Sequence, residues 1–183
     1  MKIRNVMEKD LPALEHVCLE TASGFWKSDE EMVEAVLEVF CRYYFEKERE
    51  HCFVTVNEDD EAIGYILCAP DYERYYKLFM ERINASKYEK VRQIGKQAAD
   101  EPREFAADYP AHLHIDLLPE TQGKGCGRAL VETLCAHLRE IGVKGVMLDV
   151  GADNTGAIAF YNKCGFKVLK KGEGGQMMGR EIL

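Results

Sequence analysis

The run Gln122-Gly123-Lys124-Gly125-Cys126-Gly127 sits between a segment of strict period two and a segment of helical period, and no other feature limits the fold as much. Upstream, AHLHIDLLPE alternates so that His112, His114 and Asp116 face one way and Leu113, Ile115 and Leu117 the other, the pattern of a strand. Downstream, Leu130, Leu134, Leu138 and Ile141 recur at near-helical steps until Gly142 offers a C-terminal cap. Glycines at alternate positions ahead of a helix let the backbone approach a ligand closely, and the unpaired N–H groups of the first turn point at it. Such a cradle favours an anion. The helix dipole contributes ~0.3–1 kcal/mol, and Lys124 and Arg128 add local positive charge. A glycine-rich turn with no ligand is the other reading of the glycines alone.

The rest of the chain supplies strands and helices around this unit. A short strand near Lys2 to Val6 precedes a helix opened by Asp10, with Pro12 in its first turn. Ser28 and Glu31 form a capping box for a second helix, whose Met32, Val36, Phe40 and Tyr43 share one face up to about Tyr44. Residues 52–56 and 62–69 read as a β-hairpin, with a bulge at Gly64. Residues 70–110 form a charged, tyrosine-rich helical insertion or lid running to about Gln97. Its Tyr72, Tyr75, Tyr76, Phe79 and Ile83 either dock the helix on the sheet or, in the case of Tyr72, touch substrate. After the glycine-led helix come a strand over 146–150, a helix capped by Asp153-Asn154 and ended by Gly165, and a last hairpin. The class is α+β, with a central sheet flanked by helices.

Composition bounds the function. With 183 residues, 46% apolar, the chain is long enough for a core without disulfide or structural metal, and one domain spanning 1–183 is expected. Its 24 basic and 32 acidic residues leave a net charge of −8, so nucleic acid and anionic membranes are disfavoured partners. The seven cysteines include no C-x-x-C pair and read as reduced, mostly buried thiols. Neither a signal peptide nor a membrane span is visible, and a cytoplasmic protein is expected.

Known phosphate loops narrow the glycine motif. A Walker loop requires Gly-Lys-[Ser/Thr], whereas here Lys124 precedes Gly125 and no Ser or Thr follows. A Rossmann fingerprint would use Asp149 for ribose, but it would need glycine at Leu130, and Pro119 to Gln122 separate strand from glycines. The stretch LPETQGKGCG, with Gln122, Gly125 and Gly127 filling a [QR]-x-x-G-x-[GA] loop, resembles the acyl-CoA-binding motif of the GNAT superfamily of N-acetyltransferases. Asn154, Ala157, Phe160, Tyr161, Gly165 and Phe166 match that family's second pattern. Together the motifs cover residues 111–170; the first 69 agree only in element order. YPAHLHIDLL and FYNKCGF further resemble the acetyltransferase-like domain of protein O-GlcNAc hydrolases and its free-standing bacterial relatives.

The resemblance implies a mixed, mostly antiparallel sheet; the 70–110 insertion, expected before its central strand, is not general to that superfamily. It also implies acetyl transfer from acetyl-CoA to a primary amine of a small molecule or peptide, by direct attack. Backbone amides of Gly123, Lys124, Gly125, Cys126, Gly127 and Arg128, with Gln122, would hold the pyrophosphate. Leu117 and Leu118 would pair with pantetheine, and the Leu117 amide would also face the oxygen that gains charge. Asn154, Ala157 and Tyr161 would contact the cofactor, Tyr161 acting as the acid that protonates the leaving sulfur. The base is Asp116, nearest the thioester, or His114, better matched in basicity. His112 and Asp153 join Tyr72 as candidate substrate contacts. A homodimer stays open. Two rival readings remain: a non-catalytic acyl-CoA-binding or protein-interaction domain, and a metallohydrolase built on His112, His114 and Asp116, in which Leu117 stands where a further histidine is needed.

Overall fold

The computed structural model describes residues 2–121 and 123–182. Seven strands form one sheet: β1 (Lys2–Asn5), β2 (Phe53–Val56), β3 (Ala62–Ala69), β4 (Ala111–Leu117), β5 (Gly145–Gly151), β6 (Lys167–Lys171) and β7 (Gly175–Glu181). Their spatial order is β1-β2-β3-β4-β5-β7-β6. All neighbours run antiparallel except β4 and β5, which are parallel and pair only through Ala111 with Val146 and His112 with Met147. Beyond those two pairs the central strands diverge. The expected fold class therefore holds, including the placement of 70–110 before the central strand.

The helices cover both faces. On one face lie α1 (Leu11–Thr21), α2 (Glu30–Leu37), α3 (Tyr43–Lys47), α4 (Tyr72–Asn84) and α5 (Glu89–Asp100); on the other lie α6 (Cys126–Glu140) and α7 (Thr155–Lys163). The period-two reading of β4 is obeyed: Leu113, Ile115 and Leu117 pack with α6 and α7, while His112 and His114 meet aromatic side chains of the first face. Gly142 takes a left-handed φ of 77° just past α6, and Val143 N–H donates to the Leu138 carbonyl at 2.9 Å, closing that helix as expected.

Several local expectations shift. The cap of α2 is Asp29 rather than Ser28: its carboxylate accepts from Met32 N–H at 3.0 Å, one residue later in the same acidic turn. The helix it opens does not run evenly to Tyr44. Glu38–Arg42 form a π segment between α2 and α3, the extra residue rotating Phe40 and Tyr44 toward β4. Arg42 bonds Glu15, Glu34 and Glu38 at 2.5, 2.8 and 3.2 Å, holding this segment to α1. The 70–110 segment is two helices, broken at 85–88 where the Ser86 hydroxyl accepts from Tyr88 N–H. It is no lid. Tyr72, Tyr75, Phe79 and Ile83 are all at most 1% exposed, and Tyr75 stacks on Tyr44 and Phe79. The strand irregularity lies beside Gly64, where the β2–β3 register slips between Thr55 and Val56.

All seven cysteines are buried and free, in keeping with their reading as reduced thiols. Among the described residues no helix is long and apolar enough to cross a membrane.

Gly64 has a steric reason for lacking a side chain. A Cβ there would lie 2.6 Å from Leu117 Cδ2 and 3.1 Å from the Asp116 carbonyl oxygen, pressing on β4 at its functional end. Gly64→Val is expected to lower the unfolding free energy by about 1–3 kcal/mol, read as a reduced urea midpoint at unchanged m-value.

Candidate functional site

Where β4 leaves β5, the sheet opens and two clefts meet. One, of about 580 Å3, lies between β4, the end of β5 and the α1–α2 connection; the other, of about 710 Å3, lies between β4, the glycine loop and α7. Thr21, Ile115, Asp116, Asn154, Ala157 and Tyr161 line both, so the clefts form one continuous passage with these residues at its waist.

The backbone explains what the passage offers. In an antiparallel ladder the N–H and C=O of successive residues point to opposite sides. Leu118 N–H donates to the Ile63 carbonyl of β3 at 3.1 Å, so the amides of Leu117 and Ile115 face away from β3, into the gap left by β5. Leu118 thereby departs from its expected role: its N–H is used by β3, its carbonyl accepts from the Thr121 amide and hydroxyl at 2.9 and 2.7 Å, and its side chain packs on the far face. Ile115, which the sequence pattern marks only as apolar, takes its place as a backbone group on the open edge.

At the second cleft, α6 starts from Gly125, whose φ of 79° and missing side chain leave the helix N-terminus uncapped. The amides of Gly127 and Arg128 have no acceptor among the described residues. Gly123 also has positive φ, and a Cβ built at either position would meet open space, so these glycines serve backbone conformation and not packing. Gly127 differs. A Cβ there would touch Leu117 Cδ1 at 3.0 Å and the Phe160 ring at 3.1 Å, so its role is to let α6 approach β4 and α7. Cys126 and Arg128 line the cleft; Lys124 is exposed beside it. Gln122 lies outside the described residues.

Tyr161 and Asp116 occupy the waist. Tyr161 is 8% exposed, its ring packed on Phe160 and Phe166 with centroids 5.3 and 5.7 Å away, and its hydroxyl has no hydrogen-bond partner among the described residues. Burial, and then the charge of Asp116, push its pKa upward, so it stays a protonated donor. Asp116 accepts from the Tyr65 hydroxyl at 2.6 Å. Its own pKa is raised by burial, against the opposing pull of that bond, and no basic side chain is among its partners. Asn154 caps α7 as expected, its Oδ1 accepting from Ala157 N–H at 3.1 Å. Asp153 stands at the rim of the first cleft.

The histidines divide. His114 lines the first cleft; His112 is 3% exposed and does not. The Tyr44 hydroxyl lies 2.9 Å from His112 Nδ1 and 3.1 Å from His114 Nε2, donating to one ring and accepting from the other. Burial lowers the His112 pKa to about 4, and burial together with His112 lowers that of His114. Both are neutral at pH 7. Tyr72 also lies away from the passage, its hydroxyl donating to the Ala99 carbonyl at 2.7 Å. For His112 and Tyr72 the geometry thus gives internal hydrogen bonds in place of substrate contact. The two imidazole rings meet edge to face at 4.8 Å with the Tyr44 hydroxyl bonded to both, and the described residues hold no cluster of three or more His, Cys, Asp or Glu fit for a metal ion.

Sequence reasoning missed Thr21, Trp26 and Phe40 in the first cleft and Tyr44 and Tyr65 behind β4. All come from the first 65 residues, far along the chain from both motifs.

Comparison with known proteins follows this geometry. The acetyltransferase (GNAT) family model matches residues 16–166. Mycothiol acetyltransferase of Geodermatophilus obscurus is 48% identical over 54 residues, 30% of this chain and 17% of that protein. The [ribosomal protein bS18]-alanine N-acetyltransferase of Escherichia coli K12 is 39% identical over 74 residues, 40% of this chain and 50% of that protein. The matched stretch thus spans half or less of these curated relatives. Among solved structures, the crystal structure of SsHAT superposes with TM-score 0.82 at 30% identity over 100% of this chain and 98% of that one. The PaiA N-acetyltransferase of Thermoplasma acidophilum, crystallised with coenzyme A, has the same fold at TM-score 0.63 and 20% identity, covering 98% of each chain.

Because an imidazole of depressed pKa binds fewer protons folded than unfolded, its contribution to stability is complete above pH ~6.5 and is lost as pH falls toward ~4. The fold is expected to lose about 2–3 kcal/mol through His112 between pH 7 and 4.5. Urea titrations of wild type and His112→Gln check this: the difference between their pH profiles should carry that loss.

Proposed function

The chain belongs to the acetyltransferase (GNAT) family, and on that premise we propose that it transfers acetyl from acetyl-CoA to a primary amine by direct attack within the passage at Tyr161. One observation carries the reading. An uncapped helix N-terminus, an unpaired strand edge and the hydroxyl of a buried tyrosine, without a partner among the described residues, all border the same continuous opening.

The residues fit the cofactor. The amides from Gly123 to Arg128 at the positive end of α6 suit a pyrophosphate, with Arg128 adjacent and Lys124 supplying charge nearby. Ile115 and Leu117 present N–H and C=O groups to pair with amides of an extended pantetheine, as a missing strand would. Asn154 has spent its Oδ1 on the α7 cap, which leaves its NH2 to donate, and Ala157 leaves room where both clefts meet.

When bound, acetyl-CoA supplies an activated carbonyl carbon that bonds to the amine nitrogen while the C–S bond breaks and sulfur keeps its electron pair. Asp116, with its raised pKa, takes a proton from the incoming ammonium; neutral His114 on the acceptor wall is the second candidate for that task. Tyr161 gives its hydroxyl proton to the leaving sulfur and recovers one from the new amide nitrogen. The net products are the amide, the thiol and one proton released to water. The Leu117 N–H is directed at the oxygen that gains charge.

The names of the relatives cover a small molecule and a ribosomal protein, which supports an amine acceptor without choosing between these kinds. We group the chain, read as one GNAT domain, with the acetyltransferase-like domain of protein O-GlcNAc hydrolases and its free-standing bacterial relatives on the strength of YPAHLHIDLL, and place it in the cytoplasm on the strength of its seven free thiols.

Two variants separate chemistry from binding. Tyr161→Phe should lower kcat by roughly 10²–10⁴-fold with coenzyme A affinity nearly unchanged by calorimetry; full turnover in that variant removes the acid role. Gly125→Asp places a side chain where φ is positive and a negative charge at the phosphate cradle, so its coenzyme A affinity should fall by at least about tenfold.

A further inference from the structure

The first cleft differs from the rest of this acidic molecule in how its carboxylates are matched. Elsewhere Arg4 binds Asp10 and Asp60, Arg42 binds three glutamates, and Arg82 binds Glu38 and Glu46. Asp116, Asp149 and Asp153 line the first cleft, and no lysine or arginine does. Burial raises the pKa of Asp116 and of Asp149, with Glu101 adding to the latter, and neither has a cation among its partners. Within the protein Asp116 is stabilised by the neutral donors Tyr65 and Thr21 and Asp149 by the Val150 amide, so a cation that enters would supply a countercharge.

Asp149 is also on the wall of a neighbouring groove of about 600 Å3, together with Asp100, Glu101, Glu104, Glu173 and a lone lysine, Lys170. Lys170 pairs with Glu104, and Asp100 with Lys96. Glu101 receives only the Gln97 amide, at 2.8 Å. The acidic track therefore continues past Asp149 toward Glu101 and Glu173. Its inner end is marked by an independent feature, Tyr161, a residue 8% exposed whose hydroxyl has no hydrogen-bond partner among the described residues.

Resting on the acetyltransferase reading above, we infer that the acceptor is an aliphatic diamine or polyamine: one nitrogen reacts between Asp116 and Tyr161, and a trailing ammonium is held by Asp149 with Glu101 behind it. The lining favours this class. Val36, Trp26, Phe40 and Leu148 give the first cleft apolar and aromatic walls between its carboxylates. A chain of methylenes with an ammonium at intervals matches that alternation, and the rings suit a cation.

The test compares putrescine and spermidine with n-butylamine, which has the same chain length as putrescine but no second charge. A charge-assisted contact implies a kcat/KM preference of about tenfold or more for the polyamines, expressed in KM and shrinking as salt is raised. Asp149→Asn should cut that preference about tenfold, and Glu101→Gln should cut it less. Equal kcat/KM for putrescine and butylamine, or an undiminished preference in Asp149→Asn, overturns the inference and leaves the acetyltransferase reading standing. Turnover of a lysine peptide far above every free polyamine also overturns it. Failure to acetylate any amine overturns the reading itself, and this inference with it.

Discussion

Everything distinctive in this molecule follows from one defect in a hydrogen-bonded sheet. β4 and β5 are parallel neighbours that pair through two residues and then separate. A central strand that loses its partner exposes a row of backbone donors and acceptors, which costs free energy unless water or a ligand satisfies them. The split also sets the position of the helices. α6 begins beside the exposed edge, and α7 delivers Tyr161 to it, so an uncapped helix N-terminus, an unpaired strand edge and a tyrosine hydroxyl border one opening.

A split sheet needs support from behind, and the first face provides it through polar contacts within an aromatic core. Tyr44 ties His112 to His114, and Tyr65 ties itself to Asp116, so every inward polar group of β4 has a partner from another element. Buried polar groups are tolerated only when satisfied, and once satisfied they specify a single arrangement. The π segment is the local means to this end: its extra residue presents Phe40 to the cleft and Tyr44 to the histidines. The 70–110 helices add Tyr75 and Phe79 to the same stack, which is why they are core and cannot act as a cover.

Charge is distributed with the same economy. The net charge of −8 describes the whole chain, yet Arg4, Arg42 and Arg82 are committed to carboxylates. The glycine loop is left locally positive by the α6 N-terminus and Arg128, while the cleft at the opposite mouth of the passage has three aspartates and no lysine or arginine in its lining. An anionic cofactor and a cationic acceptor would thus approach from ends of opposite sign, an arrangement that composition alone does not reveal.

The residues around the glycine loop could be read directly because their chemistry is local. Period two in 111–117, period 3.6 after Cys126, the Gly142 C-terminal cap and the Asn154 cap each depend on neighbours a few positions away, and the fold kept all of them. Sequence proximity misled at Leu118, whose amide the β3 ladder consumes, and at Tyr72 and His112, whose polar atoms are satisfied inside the core. Nothing local could announce that Thr21, Trp26 and Phe40 would line the first cleft, or that Tyr44 would bridge two rings some 70 positions away. Periodicity and backbone conformation are short-range properties written residue by residue. Which side chains meet across a gap in a sheet is settled by how separate elements pack, and that is a property of the assembled chain.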